Sequence, residues 1–311
     1  RDPYRVWLSE IMLQQTQVQT VIPYFERFER ELPTLRDLAE ASPDRVIALW
    51  AGLGYYARAR NLHAAACQIA EQYAGAFPRD PQAVHALPGI GPYTAGAILS
   101  IAYGARAPIL DGNVTRVLSR LCAIPAGPDR TDAKRLYWRL AEELLPQPSV
   151  SGNDVGDFNQ ALMELGATVC TPQRPVCLVC PLNTQCQARR EGEPERFPPP
   201  KAARPVPIIH AVTALVLQGR ATHNVLLLRR PPAGLWGGLW EPPTLWLDPD
   251  ESPAAGLSRL LRARVGLPVT ARALSAAHPL PPFRHVLTHR EIRFTPFLLR
   301  TALRDPARLS L

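Results

Sequence analysis

Apolar residues recur at helical spacing through most of the first two thirds of the chain. Between Tyr4 and Val18 an inward face runs through Val6, Trp7, Ile11 and Leu13, which predicts one helix over that stretch. Ser42-Pro43 reads as an N-cap followed by proline at the first helical position, opening a helix through Val46, Ile47, Leu49 and Trp50 that Gly52 and Gly54 end. Further helices are predicted from Tyr55 to Tyr73, Pro81 to Leu87, Val114 to Leu121, Thr131 to Leu145 and Val155 to Cys170.

Between two of these lies a tight turn. In LPGIGPYTAGAILSIAY, Gly89 and Gly91 bracket Ile90, and Pro92 stands where its fixed φ and missing N–H cost a new helix least. Ala95, Ile98, Leu99, Ile101 and Ala102 then make a helix buried over much of its surface. The unit is helix, Gly-rich hairpin, helix. Bare backbone N–H groups at such a helix start bind phosphate without any side chain, although the same residues also make an ordinary turn. A lone acid, Asp111, follows in Asp111-Gly112-Asn113, just before the next helix.

The pattern changes after Glu191. The stretch from Glu191 to Pro207 holds six prolines in seventeen residues, which excludes helix and central strand and predicts a linker. Beyond it the period shortens. Ile208 to Leu217 and Val225 to Arg230 read as strands, Pro231 to Glu241 as a Gly/Pro/Trp-rich loop and Ala254 to Val265 as a helix. Ile292 to Leu299 reads as a last strand, which Pro296 would confine to an edge or a bulge. The expected fold is therefore multidomain: an all-α domain over 1–190, a linker over 191–207 and an α+β domain over 208–311.

Composition adds a partner. The 311 residues carry 35 Lys+Arg against 27 Asp+Glu, a net charge of +8, which suits a polyanion. Nearly all the positive charge is arginine, with Lys134 and Lys201 as the lysines; a GC-rich genome would give the same bias. No run of about 20 apolar residues could span a bilayer, and no membrane association is expected. With neither a secretory signal nor an initiating Met, the chain is expected to be cytoplasmic and to have residues preceding Arg1.

Of six cysteines, four form Cys170-x6-Cys177-x2-Cys180-x5-Cys186, with Pro181 after the third. Four thiolates so spaced can close around one metal centre, and spacing alone leaves zinc and iron–sulfur open. A disulfide framework does not suit a chain of this size. Cys67 and Cys122 stand singly in helical runs and are expected as small buried hydrophobes. A glutamate on a helix is usually solvated. Glu10, however, stands among apolar neighbours in WLSEIMLQQTQ, so its pKa should be raised by desolvation. The polar run Gln14, Gln15, Thr16 and Gln17 beside it can bond base edges without adding charge.

Five motifs in order carry a resemblance that covers nearly the whole chain. WLSEIMLQQTQV (Trp7 to Val18), GLGYYARARNL (Gly52 to Leu62), LPGIGPYTAGAI with ILDGNVTRVL (Leu87 to Leu118), the cysteine pattern and RRPPAGLWGGLWEPP (Arg229 to Pro243) resemble the helix-hairpin-helix DNA glycosylases. Among these, they resemble adenine DNA glycosylases of the MutY type, whose second domain is Nudix-like.

The resemblance implies base-excision repair on double-stranded DNA. Adenine opposite 8-oxoguanine or guanine is flipped from the stack, and its N-glycosidic bond is hydrolysed. It makes Glu10 the acid that protonates adenine and Asp111 the group that stabilises or attacks the oxocarbenium-like sugar, with Tyr93 and Asn113 in support. Gln14, Gln15, Tyr55 and Arg58 would contact DNA or the opposite base, and the hairpin at Gly89 and Gly91 would hold a phosphate. Cys170, Cys177, Cys180 and Cys186 would ligate a 4Fe–4S cluster, with Arg174 on its DNA-facing loop. Tyr93 stands where the endonuclease III type has a Schiff-base lysine, so a monofunctional enzyme is implied. Aligning Gly266-Leu267 with the end of a Nudix box puts Arg259, Leu260, Ala263 and Arg264 where its R-E and E-E pairs would stand, so the metal-binding carboxylates are gone. That removes pyrophosphohydrolase chemistry and leaves a lesion-reading domain, with Thr288 and His289 in the recognition loop and Leu287 in place of the family's Phe. The protein is expected to act as a monomer on a bacterial nucleoid. An endonuclease III-type enzyme and a non-catalytic DNA-binding protein are the rival readings.

Overall fold

Asp2 accepts the backbone N–H of Tyr4 at 2.9 Å and starts helix α1 (Pro3–Leu13), whose Trp7, Leu8, Ile11 and Met12 enter the core of a helical unit. The computed structural model describes residues 1–147, 154–200, 205–218, 224–231, 234–265 and 277–301. The chain divides into two units, Arg1–Ala202 and Ala203–Leu311. The expected single helix from Tyr4 to Val18 is two helices. α1 stops at Leu13, Gln14 leaves helical geometry at ψ 114° and Gln15 turns left-handed at φ 56°, before α2 (Val18–Glu31) begins. The break has a cause, because Arg58 takes the carbonyls of Ile11, Met12 and Gln14 that a continuing helix would need for its own amides. α2, which carries Pro23 inside it, is not among the helices expected from the sequence.

Helix α3 (Leu35–Glu40) opens with a reciprocal capping box between Thr34 and Asp37. α4 (Pro43–Trp50) begins at the expected Ser42 cap and buries Val46 and Trp50. α5 (Ala57–Gln72) starts two residues later than Tyr55, which sits in the preceding turn at φ 47°. The hairpin joins α6 (Pro81–His85) to α7 (Pro92–Tyr103). Two glycines are fixed by close approach. A Cβ on Gly89, at φ 76°, would stand 2.7 Å from Asn61 Cβ; one on Gly96 would stand 2.1 Å from the Pro108 carbonyl oxygen. That second contact lets α7 lie against the chain that leads into Asp111 and α8 (Gly112–Leu121).

α9 (Thr131–Glu143) and α10 (Asp154–Glu164) complete the second core, around Ile109, Val117, Leu118 and Tyr137. Asn159, buried to 1% exposure, donates to Ser100 Oγ and Ala107 O at 2.9 Å each and fixes α10 on α7. The helix expected to run unbroken to Cys170 changes to a π-turn over Leu165–Val169. There Gly166 packs on Asn113, with 2.6 Å for an added Cβ. The Pro-rich stretch is not free chain from Glu191. Beyond α11 (Gln187–Arg190), Phe197 is buried and its carbonyl accepts Arg120 Nε at 3.0 Å, so the helical unit extends through Phe197. Cys67 and Cys122 are half-buried rather than enclosed.

The second unit is α+β. Its sheet runs β4 (Thr244–Trp246), β1 (Ile208–Gln218), β7 (Arg290–Thr301), β5 (His278–Pro279), with β6 (Phe283–Leu287) also on β7; β1 and β7 are parallel. β2 (Leu228–Arg229) pairs separately with β3 (Trp240–Glu241). α12 (Pro253–Leu260) packs Leu257 and Leu260 on Val212, Ala214 and Val216. The edge position expected for the Pro296 strand is corrected: β7 is central. Pro296 pairs with Thr213, and its carbonyl accepts Leu280 N at 2.9 Å in the gap between β5 and β6, so its absent N–H falls where the ladder is already interrupted. Gly266 and Leu267 lie outside the described residues.

Candidate active site

Three elements bring the chemistry together. Glu10 projects from α1 at 7% exposure, Tyr93 from the first turn of α7, and Asp111 is the N-cap of α8. Burial raises the Glu10 carboxyl above its ordinary value, and the Asp111 charge raises it further, against a lowering by the Tyr93 hydrogen bond. Tyr93 Oη donates to Glu10 Oε2 at 2.7 Å and lies 3.2 Å from Met163 Sδ on α10. Burial, then the charge of Glu10, pushes the Tyr93 phenol upward, so it keeps its hydrogen.

Asp111 is oriented from both sides. Oδ1 accepts Val114 N at 2.7 Å as the helix cap, and Oδ2 accepts Asn113 Nδ2 at 3.0 Å. Asn113 is set in turn by Arg116, whose NH2 donates to Asn113 Oδ1 at 2.8 Å and Gly166 O at 2.7 Å, while Nε donates to Cys170 O at 2.7 Å. Asp111 and Tyr93 open onto a cavity of about 500 Å³ also lined by Thr115, Lys134, Trp138 and Pro198. A carboxyl held toward its acid form and a carboxylate at a helix start are the pair that glycosidic cleavage uses.

The other expected site residues fall into two sets. Gln14 Nε2 donates to Thr94 Oγ1 at 3.2 Å, which ties the polar run to α7. Gln15 and Tyr55 both sit at positive φ, and Tyr55 is 49% exposed, so strained backbone presents both on the surface. Gly91 caps α7 with no side chain. Arg58 is engaged within the helical unit. Besides Ile11, Met12 and Gln14, its guanidinium donates to Thr16 Oγ1 and to the carbonyls of Leu53 and Gly54, and it stacks over Trp50 and Tyr55. It holds the turns that carry Gln15 and Tyr55.

The four cysteines ring a second, much smaller cavity of about 30 Å³, together with Val169, Asn183 and Arg189. Buried Arg120 borders it, donating to Thr171 O at 2.6 Å, Pro172 O at 2.9 Å and Cys170 Sγ at 3.4 Å. Burial, then the neighbouring Cys170, Cys186 and Cys180 side chains, push the Cys177 thiol up. Among the described residues no three Cys, His, Asp or Glu side chains converge closely enough to hold a single ion. Arg174, at φ 50°, is tied through its N–H to Glu195 Oε1 at 2.7 Å.

In the second unit, Thr288 and His289 form the exposed turn between β6 and β7. Beneath it His285 meets Trp236 edge-on at 5.5 Å, and Phe283 stacks on Phe294 at 4.9 Å. Arg259, expected at the arginine of the Nudix R-E pair, is ion-paired with Glu251 and Asp248. Met163 and Arg116 were not read from the sequence. Arg116 had a local signal, three residues after Asn113 on the same helix face; Met163 had none.

A family model for HhH-GPD superfamily base excision DNA repair proteins matches residues 8–143, and a NUDIX domain model matches residues 212–309. Among solved structures, a thermostable thymine-DNA glycosylase is similar at 29% identity and TM-score 0.54, covering 61% of this chain and 86% of that one. An endonuclease III–DNA complex shares the fold at 23% identity and TM-score 0.52, covering 62% of this chain and 86% of its own. Human adenine DNA glycosylase is 42% identical over 81% of this chain and 53% of its own length; the rat protein is 38% identical over 100% and 67%. The chain belongs to the helix-hairpin-helix base-excision repair superfamily and, within it, to the adenine DNA glycosylases. It spans about half to two thirds of the length of these curated relatives. No helix among the described residues is long and apolar enough to cross a membrane.

Proposed function

We propose that the chain excises adenine from duplex DNA where it faces 8-oxoguanine or guanine, as a monofunctional glycosylase. The observation that carries this is the buried Glu10 carboxyl, raised in pKa and bonded by Tyr93, beside Asp111 at the head of α8. Glu10 protonates the departing adenine, and Asp111 stabilises the cationic sugar on the side that water attacks. Gln14, Gln15 and Tyr55 face the duplex at the vacated position, and the hairpin amides hold a backbone phosphate.

The test is a gel assay on a duplex with adenine opposite 8-oxoguanine, with and without alkali. The expected outcome is a break that appears only after alkali, because a phenol at position 93 forms no imine. Lys134 lines the same cavity as Asp111, so the untreated lane is the discriminating one. A break of equal yield there would assign strand cleavage to the chain and overturn the monofunctional reading.

The cysteine cavity fits a 4Fe–4S cluster. A zinc ion draws four sulfurs to about 2.3 Å from one point, whereas these four surround a space, as thiolates ligating a polynuclear centre do. When bound, the cluster closes the loop from Cys170 to Cys186; Arg116 and Arg120 attach that loop to α8. Anaerobic purification should give a brown protein with about four iron atoms per chain. One zinc per colourless chain would refute this assignment.

The second unit supplies lesion discrimination through Thr288 and His289. 8-Oxoguanine presents N7–H where guanine presents an acceptor, and the Thr288 hydroxyl can accept from that N–H. Thr288→Val with His289→Ala should reduce the preference for 8-oxoguanine over guanine opposite adenine by roughly ten- to a hundredfold. An unchanged ratio of the two excision rates would show that the turn is misassigned.

A further inference from the structure

Tyr93 has one hydroxyl hydrogen and two acceptors for it. Glu10 Oε2 lies 2.7 Å away on α1 and Met163 Sδ lies 3.2 Å away on α10, both within hydrogen-bond reach. The phenol stays protonated, because burial and the Glu10 charge both oppose its ionisation. Its hydrogen can therefore point to only one partner at a time, and whether Glu10 Oε2 carries a proton decides which. When Glu10 is ionised it accepts from Tyr93, a short charge-assisted bond. When Glu10 carries a proton on Oε2, that O–H donates to Tyr93 Oη. The phenol hydrogen must then rotate away, and the thioether is the acceptor placed to receive it. Sulfur accepts weakly, but a buried donor without an acceptor costs more than a weak bond.

We infer that Met163 is a positioning residue for catalysis: its sulfur receives the Tyr93 hydroxyl in the state where Glu10 is an acid, and so favours that state. No proton is transferred to sulfur; two hydrogens rotate and one proton is taken up by Glu10 from solvent. The groups acting on the Glu10 carboxyl are Tyr93 from α7 and Asp111 from α8. The charged groups that α2 and α5 bring to α1 are engaged elsewhere, Glu29 on Arg5 and Arg58 on backbone carbonyls. Asn159 fixes α10 against α7, so the sulfur is held in place by a bond that does not depend on the titration. The inference rests on the reading of Glu10 as the general acid, and its two tests separate the hydrogen-bond switch from that reading.

The first test needs no catalysis. The chain has two methionines, Met12 and Met163, so labelling the methionine methyls gives two signals, assigned with Met12→Leu. The Met163 signal should move with pH in a single step, and the step should vanish in Glu10→Gln and in Tyr93→Phe. A signal that does not move in the unmodified chain, or a step that survives either substitution, overturns the inference.

The second test is the pH profile of single-turnover adenine excision. An acid that must be protonated loses activity as pH rises through its pKa. Met163→Leu lowers that pKa, so the high-pH limb should move down by about half a pH unit, the size expected for one weak hydrogen bond. In the Tyr93→Phe background the same substitution should produce no shift. Norleucine in place of methionine keeps the chain length and removes only sulfur, and should reproduce the shift if the leucine variant folds poorly. A limb that stays in place with norleucine overturns the inference. A chain that excises no adenine at any pH would instead overturn the general-acid reading and leave the methyl titration to decide the switch.

Discussion

Glu10→Gln should lower single-turnover excision of adenine opposite 8-oxoguanine by about 10²- to 10⁴-fold, the range for loss of a general acid. Asp111→Asn should be at least as damaging, since it removes the charge that meets the sugar cation in the transition state. Binding of the mismatched duplex should survive both, because each substitution keeps the side-chain volume and neither residue is placed to hold a phosphate. The pH dependence has a definite sign. Burial raises the Glu10 carboxyl above 4.5, so the acid form persists to higher pH and activity is lost as pH rises through the raised value. The same shift makes the folded state hold this proton more tightly than the unfolded chain. The associated stability is full below the ordinary value and is lost as pH rises through the raised one. In Glu10→Gln that pH dependence of stability should disappear. The pair of assays, excision rate and duplex affinity, distinguishes catalysis from architecture. Loss of affinity in both variants would make Glu10 and Asp111 structural.

What could be read from the sequence was local. The hairpin is written in five consecutive residues, and Asp111 announces its helix by standing immediately before Gly112 and Asn113. Ser42 caps its helix through a side chain three residues from the amide it meets. Glu10 stood out because its neighbours are apolar, and its 7% exposure follows from theirs. What could not be read depends on partners distant in sequence. Met163 meets Tyr93 across 70 residues and Arg120 meets Phe197 across 77, and neither pairing leaves a trace in residue order. Phe197 shows the limit of composition: the prolines around it exclude helix and strand but do not prevent burial of one aromatic ring. Pro296 shows the limit of a positional rule, since a central strand accepts proline where its neighbour has already broken off.

We propose that the role of Arg58 is structural, and its loss should give a second large effect. A basic residue in GLGYYARARNL beside a tyrosine expected to face DNA suggests a phosphate contact. Instead its guanidinium joins the end of α1, the turn at Thr16 and the turn at Leu53 and Gly54, with Trp50 and Tyr55 against its plane. Desolvation depresses its pKa to about 10, which still leaves it charged at neutral pH. Arg58→Ala strips several partly buried carbonyls of their donor at once and should destabilise the helical unit by about 3 kcal/mol. For a unit of this size that corresponds to a fall of roughly 6–12 °C in melting temperature. Arg58→Lys should recover little of the loss, because an ammonium keeps the charge but cannot reproduce the planar fork. The slope of log affinity against log salt should remain that of the unmodified protein, since no phosphate contact is removed. A phosphate-binding Arg58 would behave in the opposite way. Its loss would leave the melting temperature unchanged and reduce the salt slope by about 0.9, and lysine would restore most of the binding. Because Gln15 and Tyr55 stand on the two turns that Arg58 joins, excision should fall along with stability, through the duplex-facing surface, while Glu10 and Asp111 retain their own supports on α1 and α8.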